Sequence, residues 1–192
     1  MTTSIAIAYH SGYGHTESLA KAIAEGAGAV NGATASLHRV DALTEADWDA
    51  LDAADAIIFG SPTYMGNTSA AFQKFAEESS KKWGARSWKD KLAGGFTVSG
   101  SYLGDKGSTL QSLFGLAAQH GMLWVSLGEL PPTLEAGQSL PIDAINRLGS
   151  FTGLAAQANH KEGGDTAPGV GDIATAKGYG ARIARLAQRF RP

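Results

Sequence analysis

The chain has 192 residues, and its 16 lysines and arginines against 18 aspartates and glutamates give a formal net charge of -2. This balance argues against a nucleic-acid-binding surface, and the absence of cysteine rules out disulfides, thiolate metal sites and cysteine nucleophiles. Because 43% of the residues are hydrophobic, with no basic leader and no long apolar stretch, we expect a single cytoplasmic domain without a membrane span.

Apolar runs of strand length alternate with helical patterns along most of the chain. The predicted strands are residues 5–9, 35–39, 56–60, 93–99 and 122–127. The helical patterns carry, in chain order, Leu19, Ile23 and Ala27; Trp48 and Leu51 after a cap at Thr44; Phe72 and Phe75 after a cap at Asn67 or Thr68; Leu110 and Leu113; and Ile183 and Phe190. This alternation predicts an α/β fold with a five-stranded parallel sheet, order 2-1-3-4-5, between two helical layers.

One stretch breaks the alternation. Residues 128–171 are rich in Gly, Pro, Ser, Asn and Asp and show only weak periodicity. A loop of that length in a compact domain is usually functional, part of an interface, or mobile. We expect a long irregular loop here, with a solvent-exposed tip at residues 163–169.

The turn after the first strand, residues 11–16, has the composition of an anion-binding loop. Gly12 and Gly14 let the backbone curl tightly, and Ser11 and Thr16 supply hydroxyl groups beside the N–H groups that open the next helix. The loop lacks lysine and arginine, and the chain has no P-loop motif. A terminal monophosphate therefore fits better than a triphosphate with magnesium. A plain strand-to-helix turn is the alternative interpretation.

Two further loops follow strands at the same edge of a parallel sheet. The second, residues 60–67, offers the apolar faces of Tyr64 and Met65, which suit a flat ring. The third, residues 99–107, carries Tyr102 and can cover the other end of a ligand. Three such loops at one edge favour a flavin. For any single loop, turn residues with half-exposed aromatics are the alternative.

Residues 9–16, 60–67 and 120–122 together resemble the WrbA-type NAD(P)H:quinone oxidoreductases of the flavodoxin-like superfamily. The resemblance extends to about residue 128 and resumes in the C-terminal helix. It implies a flavodoxin-like three-layer sandwich, FMN as cofactor and NADH or NADPH as electron donor. It also implies a quinone-like acceptor and a homo-dimer or homo-tetramer.

The resemblance also implies roles for single residues. Those implied to bind FMN are Ser11, Gly12, Tyr13, Gly14, His15, Thr16, Pro62, Thr63, Tyr64, Met65, Gly66, Asn67, Val98, Ser99, Gly100, Ser101, Tyr102, Leu103 and Gln119. Tyr13 matches a tyrosine implicated in nicotinamide binding, and Trp83 matches a tryptophan that lines the quinone side of the pocket. The histidines are too scattered to predict a metal site. The flavin itself would carry the chemistry, so no catalytic side chain is assigned.

The sequence also departs from the family pattern. Gln119 replaces the histidine that approaches the flavin, Tyr64-Met65 replaces an Arg-Phe pair, and residues 40–55 are too short for the usual insertion. We interpret the basic-aromatic stretch that contains Trp83 and Trp88 as a pocket wall or a subunit interface.

Two other functions stay open at this point. One is a flavodoxin-type electron carrier without a substrate of its own, although such carriers tend to be strongly acidic to dock on basic partners. The other is a flavin-binding regulatory protein, for which the long loop at 128–171 leaves room.

Overall fold

The computed structural model describes residues 2–190. Its strands are β1 (Thr3–Tyr9), β2 (Ala33–Arg39), β3 (Ala56–Tyr64), β4 (Asn67–Thr68), β5 (Leu92–Ser99), β6 (Leu123–Trp124) and β7 (Leu154–Gln157). Its helices are α1 (His15–Gly28), α2 (Glu45–Ala53), α3 (Ala70–Glu78), α4 (Ser80–Gly84), α5 (Lys106–Gln119) and α6 (Val170–Phe190). No helix within residues 2–190 combines the length and the apolarity needed to cross a bilayer.

The middle layer is a parallel sheet in which β2, β1, β3 and β5 are neighbours in that order. This confirms the predicted α/β fold and the parallel order of the first four predicted strands. The fifth position is filled by two short strands: β6 pairs with Leu92 and Ala93, and β7 pairs with β5 from Phe96 to Ser99. Between β6 and β7 the chain leaves the sheet and returns.

The fifth strand predicted at residues 122–127 is therefore confirmed at Leu123–Trp124 but is shorter than expected, and the long loop predicted at 128–171 is interrupted by β7. Leu154, Ala155 and Ala156 of β7 are buried beside β5. The backbone just before β7 lies close to β5 at Gly153, where an added Cβ would lie 2.4 Å from the carbonyl oxygen of Gly95. A strand this short, set among turn-forming residues, leaves little periodic signal in the sequence.

Helices cover both faces of the sheet. Successive side chains of β1 point to opposite faces, so both faces carry apolar residues that a helical layer must bury. Ile5 and Ile7 pack in a core with α1 and α6, whereas Ala6 packs in a second core with α2, α3 and α5. Two glycines bring α1 and α6 together: an added Cβ on Gly26 or Gly180 would lie 1.9 or 2.0 Å from a carbonyl oxygen of the facing helix. The result is the predicted three-layer arrangement.

The second core contains an aromatic cluster. Trp88 is fully buried, stacks on Trp48 and Phe75, and donates its Nε1–H to Asp52 Oδ1 at 2.8 Å. Trp88 is thus a core residue, and its interpretation as a pocket wall or interface residue is wrong.

Two local predictions also need correction. The cap of α3 is Ser69, whose hydroxyl accepts the Phe72 N–H, and not Asn67 or Thr68, which form β4 instead. Phe190, predicted to pack inward, is 64% exposed at the end of α6.

Candidate active site at the carboxyl edge of the sheet

A cavity of about 170 Å³ opens where β1, β3, β5 and β7 end. It is lined by Tyr13, His15, Thr16, Pro62, Thr63, Tyr64, Val98, Ser99, Gly100, Ala158 and His160. All three predicted loops thus contribute to one site, and a fourth segment after β7 joins them. Ligand pockets usually measure about 300–1,000 Å³. The cavity is therefore smaller than a typical ligand pocket, and Tyr13, one of its lining residues, is largely exposed to solvent.

The first loop presents free backbone N–H groups to the cavity. Gly14 adopts the left-handed conformation at the start of α1, with φ of 88°. Ser11 Oγ accepts the N–H groups of Gly14 at 3.1 Å and Glu17 at 3.2 Å. The N–H groups of His15 and Thr16 meet no acceptor in residues 2–190. Unpaired N–H groups at a helix start form an anion site, and here they lie beside the cavity.

The two polar side chains of this loop have different positions. Thr16 lines the cavity although its side chain is buried. Ser11 is also buried but is not a lining residue, and its oxygen shapes the loop by capping two N–H groups. Thr16 is therefore the hydroxyl best placed for a bound anion.

The second loop is a strand end followed by a tight hairpin. β3 continues to Tyr64, which pairs with Asn67, and the turn between them is formed by Met65 and Gly66 with φ of 48° and 79°. Two consecutive positive φ angles are the signature of the type I′ hairpin turn. Pro62 lies inside β3, in register with Val98, and not in the turn itself.

Two tyrosines form the wall between the first and second loops. The rings of Tyr13 and Tyr64 meet edge to face with centroids 6.4 Å apart. Tyr64 also reaches across to Gly12, where an added Cβ would lie 2.5 Å from its hydroxyl oxygen. Burial raises the pKa of the Tyr64 phenol, so this hydroxyl keeps its proton at neutral pH. Tyr13, in contrast, is 76% exposed and offers its ring to a ligand at the cavity mouth.

Behind the second loop, Thr63 is fixed by two other hydroxyl groups. Its Oγ1 lies 2.8 Å from Oγ1 of Thr97 on β5 and 2.8 Å from Oγ1 of Thr109 on α5. All three threonines are buried. This arrangement ties two strands and a helix together directly beneath the cavity.

The third loop contributes its first residues to the cavity and exposes the rest. Val98, Ser99 and Gly100 are lining residues. Ser101, Tyr102 and Leu103 are exposed and lie outside the enclosed volume. Tyr102 and Leu103 are 63% and 82% exposed, and the guanidinium carbon of Arg147 lies 5.8 Å from the centroid of the Tyr102 ring.

The fourth segment, residues 159–167, which we call the strap, was missed in the sequence. Its residue His160 lines the cavity. The strap crosses the first loop: Ser18 Oγ donates to the carbonyl oxygen of Gly164 at 2.5 Å, and an added Cβ on Gly164 would lie 2.8 Å from the Gly14 carbonyl. The solvent-exposed tip predicted at 163–169 is therefore wrong for Gly164, and Ala167 is buried as well.

Two predicted site residues lie in a different groove, whereas Ser11, Gly12, Gly14, Met65, Gly66, Asn67, Ser101, Tyr102 and Leu103 belong to the three loops without lining the cavity. Trp83 and Gln119 instead line a separate groove with Ala76, Ser79, Ser80, Leu116 and His120. Gln119 ends α5, a helix of 14 residues that begins at the carboxyl edge, so it lies about 20 Å away along the helix. The expectation that Gln119 approaches a flavin is wrong for a cavity of the same chain.

The residues present fit a flavin mononucleotide. The free N–H groups of α1 and the Thr16 hydroxyl suit a terminal phosphate. The lining residues include no lysine or arginine, which is consistent with a monophosphate and not with a more highly charged group. The aromatic side chains of Tyr13 and Tyr64, which line the cavity, suit a planar ring.

Comparisons with known proteins point the same way. A family model described as a flavodoxin domain matches residues 6–114. "Flavodoxin FldP" of Pseudomonas aeruginosa is 44% identical over 187 residues, 96% of each chain. "NAD(P)H dehydrogenase (quinone)" of Geobacter sulfurreducens is 33% identical over 97% of this chain and 98% of its own length. The crystal structure of a flavodoxin, WrbA-like protein from Agrobacterium tumefaciens superposes with a TM-score of 0.78 at 44% identity, covering 99% of this chain and 100% of that one.

Proposed function

The chain belongs to the flavodoxin domain family, and from that premise we propose that it is an FMN-dependent oxidoreductase that passes two electrons from NADH or NADPH to a quinone-like acceptor. The observation that carries the proposal is the meeting of an anion-binding helix start with an exposed aromatic rim in one cavity. Relatives named NAD(P)H dehydrogenase (quinone), 28–33% identical over nearly the whole chain, support the choice of reaction.

The first loop would hold the FMN phosphate. The N–H groups of His15 and Thr16 and the Thr16 hydroxyl would donate to its oxygens, and Ser11 would keep the loop in shape. Hydrogen bonds to a charged acceptor contribute roughly 1.5–3 kcal/mol each. This end of the cavity therefore supplies most of the affinity that distinguishes FMN from riboflavin.

The second and third loops would hold the ring. When bound, FMN supplies two-electron transfer between a nicotinamide and a quinone. Tyr64 and the backbone of Ser99 and Gly100 would flank the ring, while Tyr13 and Tyr102 stay exposed at the mouth. Exposed aromatic side chains beside the ring give a planar donor or acceptor a stacking surface.

Proton delivery would not require a dedicated acid. Tyr64 retains its proton because burial raises the pKa of its phenol. His160 is exposed and lines the cavity, so solvent reaches the site beside it.

A second candidate is an electron carrier that docks on other proteins. The observation that favours it is the relative named flavodoxin, which is 44% identical across 96% of both chains. The rim residues Met65 and Leu103 are strongly exposed, which also suits a docking surface.

Trp83 enters the proposal only through an oligomer. It is 50% exposed in the groove that also contains Gln119, at the opposite end of α5 from the cavity. For Trp83 to line a quinone site, a homo-dimer or homo-tetramer must bring it to the cavity of a neighbouring subunit.

Steady-state oxidation of NADH and NADPH by the FMN-loaded protein, with benzoquinone as acceptor, tests the enzyme proposal. Saturable turnover well above that of free FMN supports it. Reduction of the bound flavin without turnover supports the carrier instead.

A further inference from the structure

In the part of the chain that the structure describes, fully buried charged side chains occur in one cluster. Within residues 2–190, the buried lysine, arginine, aspartate and glutamate side chains are Lys106, Arg147 and Asp172, with residue exposures of 3%, 4% and 2%. All three lie behind the third loop of the candidate site. Because burying an ionised group carries a large desolvation cost, a cluster of three at one point needs an explanation.

Two members of the cluster neutralise each other. Arg147 Nε lies 2.9 Å from Asp172 Oδ1, and Nη2 lies 2.7 Å from Oδ2, which is a two-pronged ion pair. The same Oδ2 accepts the backbone N–H of Gln157 at 3.0 Å. Arg147 and Asp172 are therefore fully paired.

The third member, Lys106, forms no ion pair with a carboxylate within residues 2–190, although Asp172 attracts it from a greater distance. Lys106 Nζ donates to Ser99 Oγ at 2.8 Å and to the carbonyl oxygen of Ser101 at 2.6 Å, and both acceptors are neutral. Burial lowers the pKa of Lys106 to about 8, so the ammonium group is still mostly protonated at pH 7. Asp105, its neighbour in sequence, is exposed to solvent. The cluster thus carries one surplus positive charge.

This charge lies one hydrogen bond from the cavity. Ser99, which accepts from Lys106, is a lining residue. The next lining residue, Gly100, accepts from the side chain of Gln157 at 2.9 Å, and Gln157 accepts from Arg147 Nη2 at 3.3 Å. The cluster therefore contacts the rear of the loop at two consecutive cavity residues.

We propose that the surplus positive charge of the cluster formed by Lys106, Arg147 and Asp172 makes the site bind reduced FMN more tightly than it would otherwise, relative to oxidised FMN. The inference rests on the proposed function. Two-electron reduction with uptake of one proton adds one negative charge to the ring, and the electrons come from the nicotinamide donor. A buried cation close to the site attracts that charge with little screening by solvent.

A purely structural role would not require the charge. Hydrogen bonds that fix the third loop can come from a neutral amide, and replacing buried ion pairs by apolar side chains is often neutral or stabilising. The distinguishing property of Lys106 is therefore its charge, and a variant that keeps an N–H donor while removing the charge separates the two roles.

The test compares the wild-type protein with Lys106→Met and Lys106→Gln. The dissociation constant of oxidised FMN is measured by fluorescence titration, and the reduction potential of bound FMN by anaerobic titration with dithionite and a reference dye. In both variants, the dissociation constant of oxidised FMN divided by that of reduced FMN should fall at least tenfold. For a two-electron couple this corresponds to a reduction potential of bound FMN that is lower by about 30 mV. Asp172→Asn, which leaves a larger surplus of positive charge, should change the ratio in the opposite direction.

Lys91→Met is the matched control. Lys91 is also partly buried and donates to carbonyl oxygens of Asp52 and Ala54, but it precedes β5 at the opposite end of that strand. Its replacement should leave the ratio unchanged. A wild-type ratio in Lys106→Gln, with FMN still bound, would overturn the inference and leave the proposed function standing. Failure of the wild-type protein to bind FMN would overturn the proposed function itself.

Discussion

The imidazole Nε2 of His15 lies 2.6 Å from the carbonyl oxygen of Glu162, at the other end of the sequence. Because a carbonyl can only accept, Nε2 carries the hydrogen and donates it. His15 opens α1, the helix that follows the first loop, and Glu162 belongs to the strap. Together with the bond from Ser18 to Gly164, this contact holds the strap against the first loop and the start of α1.

Loosening the strap should speed FMN release. Ser18→Ala removes the hydroxyl that donates to Gly164, and Ser18 is not a lining residue of the cavity. A hydrogen bond of about 0.5–1.5 kcal/mol corresponds to between about twofold and tenfold in rate. Stopped-flow measurement of FMN dissociation gives this release rate. Ser108→Ala, in the exposed first turn of α5, is the control, and an equal rate in both variants would disprove a gating role for the strap.

Thr16 and Ser11 should differ in which ligand they affect. Thr16→Val keeps the shape but removes a hydroxyl in the cavity, so it should weaken FMN at least about tenfold and riboflavin little. Ser11→Ala removes the cap of Gly14 and Glu17, which should destabilise the protein by about 1 kcal/mol and weaken both ligands. Calorimetric titration and thermal melts measure the two effects. Riboflavin weakened as much as FMN in Thr16→Val would contradict a phosphate contact.

Lys106 should give folding stability a distinctive pH dependence. Burial lowers its pKa to about 8 in the folded protein, whereas the unfolded chain has an ordinary value near about 10.4. Between these values the unfolded state binds more protons, so stability rises with pH by at most about 1.4 kcal/mol per unit. Urea melts from pH 7.5 to 10.5 should show a smaller rise in Lys106→Met. The surface variant Lys74→Met should follow the wild type, and identical slopes in all three proteins would refute the assignment.

The variant Trp83→Ala tests whether an oligomer brings Trp83 to the quinone site of a neighbouring subunit. If Trp83 lines a neighbouring subunit's quinone site, its loss should raise the quinone KM several-fold without changing FMN affinity. Sedimentation shows whether the assembly persists. Phe190→Ala, at an exposed aromatic near the C-terminus, is the control. An unchanged KM in an intact oligomer would exclude Trp83 from the substrate site.

The sequence predicts much of the site because its loops are short and follow long buried strands. The apolar run that ends at Tyr9 and the glycines after it identify the first loop, and the structure brings Thr16, Thr63 and Ser99 into one cavity as expected. The rule that ligands bind at the carboxyl ends of parallel strands is enough to unite them.

The features that could not be predicted from the sequence depend on contacts between residues far apart in the chain. Lys106, Arg147 and Asp172 have no common motif, and only folding brings them together. β7 is a four-residue strand within a stretch rich in turn-forming residues, so the strap that follows it could not be placed. The turn at Met65 and Gly66 agrees with the predicted loop, but the extension of β3 to Tyr64 was not predicted because Pro62 lacks the N–H that a strand interior normally donates.

The proposed quinone reduction is tested most directly by the number of turnovers per bound FMN under anaerobic conditions, with NADPH or NADH and excess benzoquinone. We expect many equivalents of quinone to be reduced per flavin, at a rate that saturates with quinone and far exceeds that of free FMN. A single equivalent reduced per flavin, with no further nicotinamide oxidation, would contradict it.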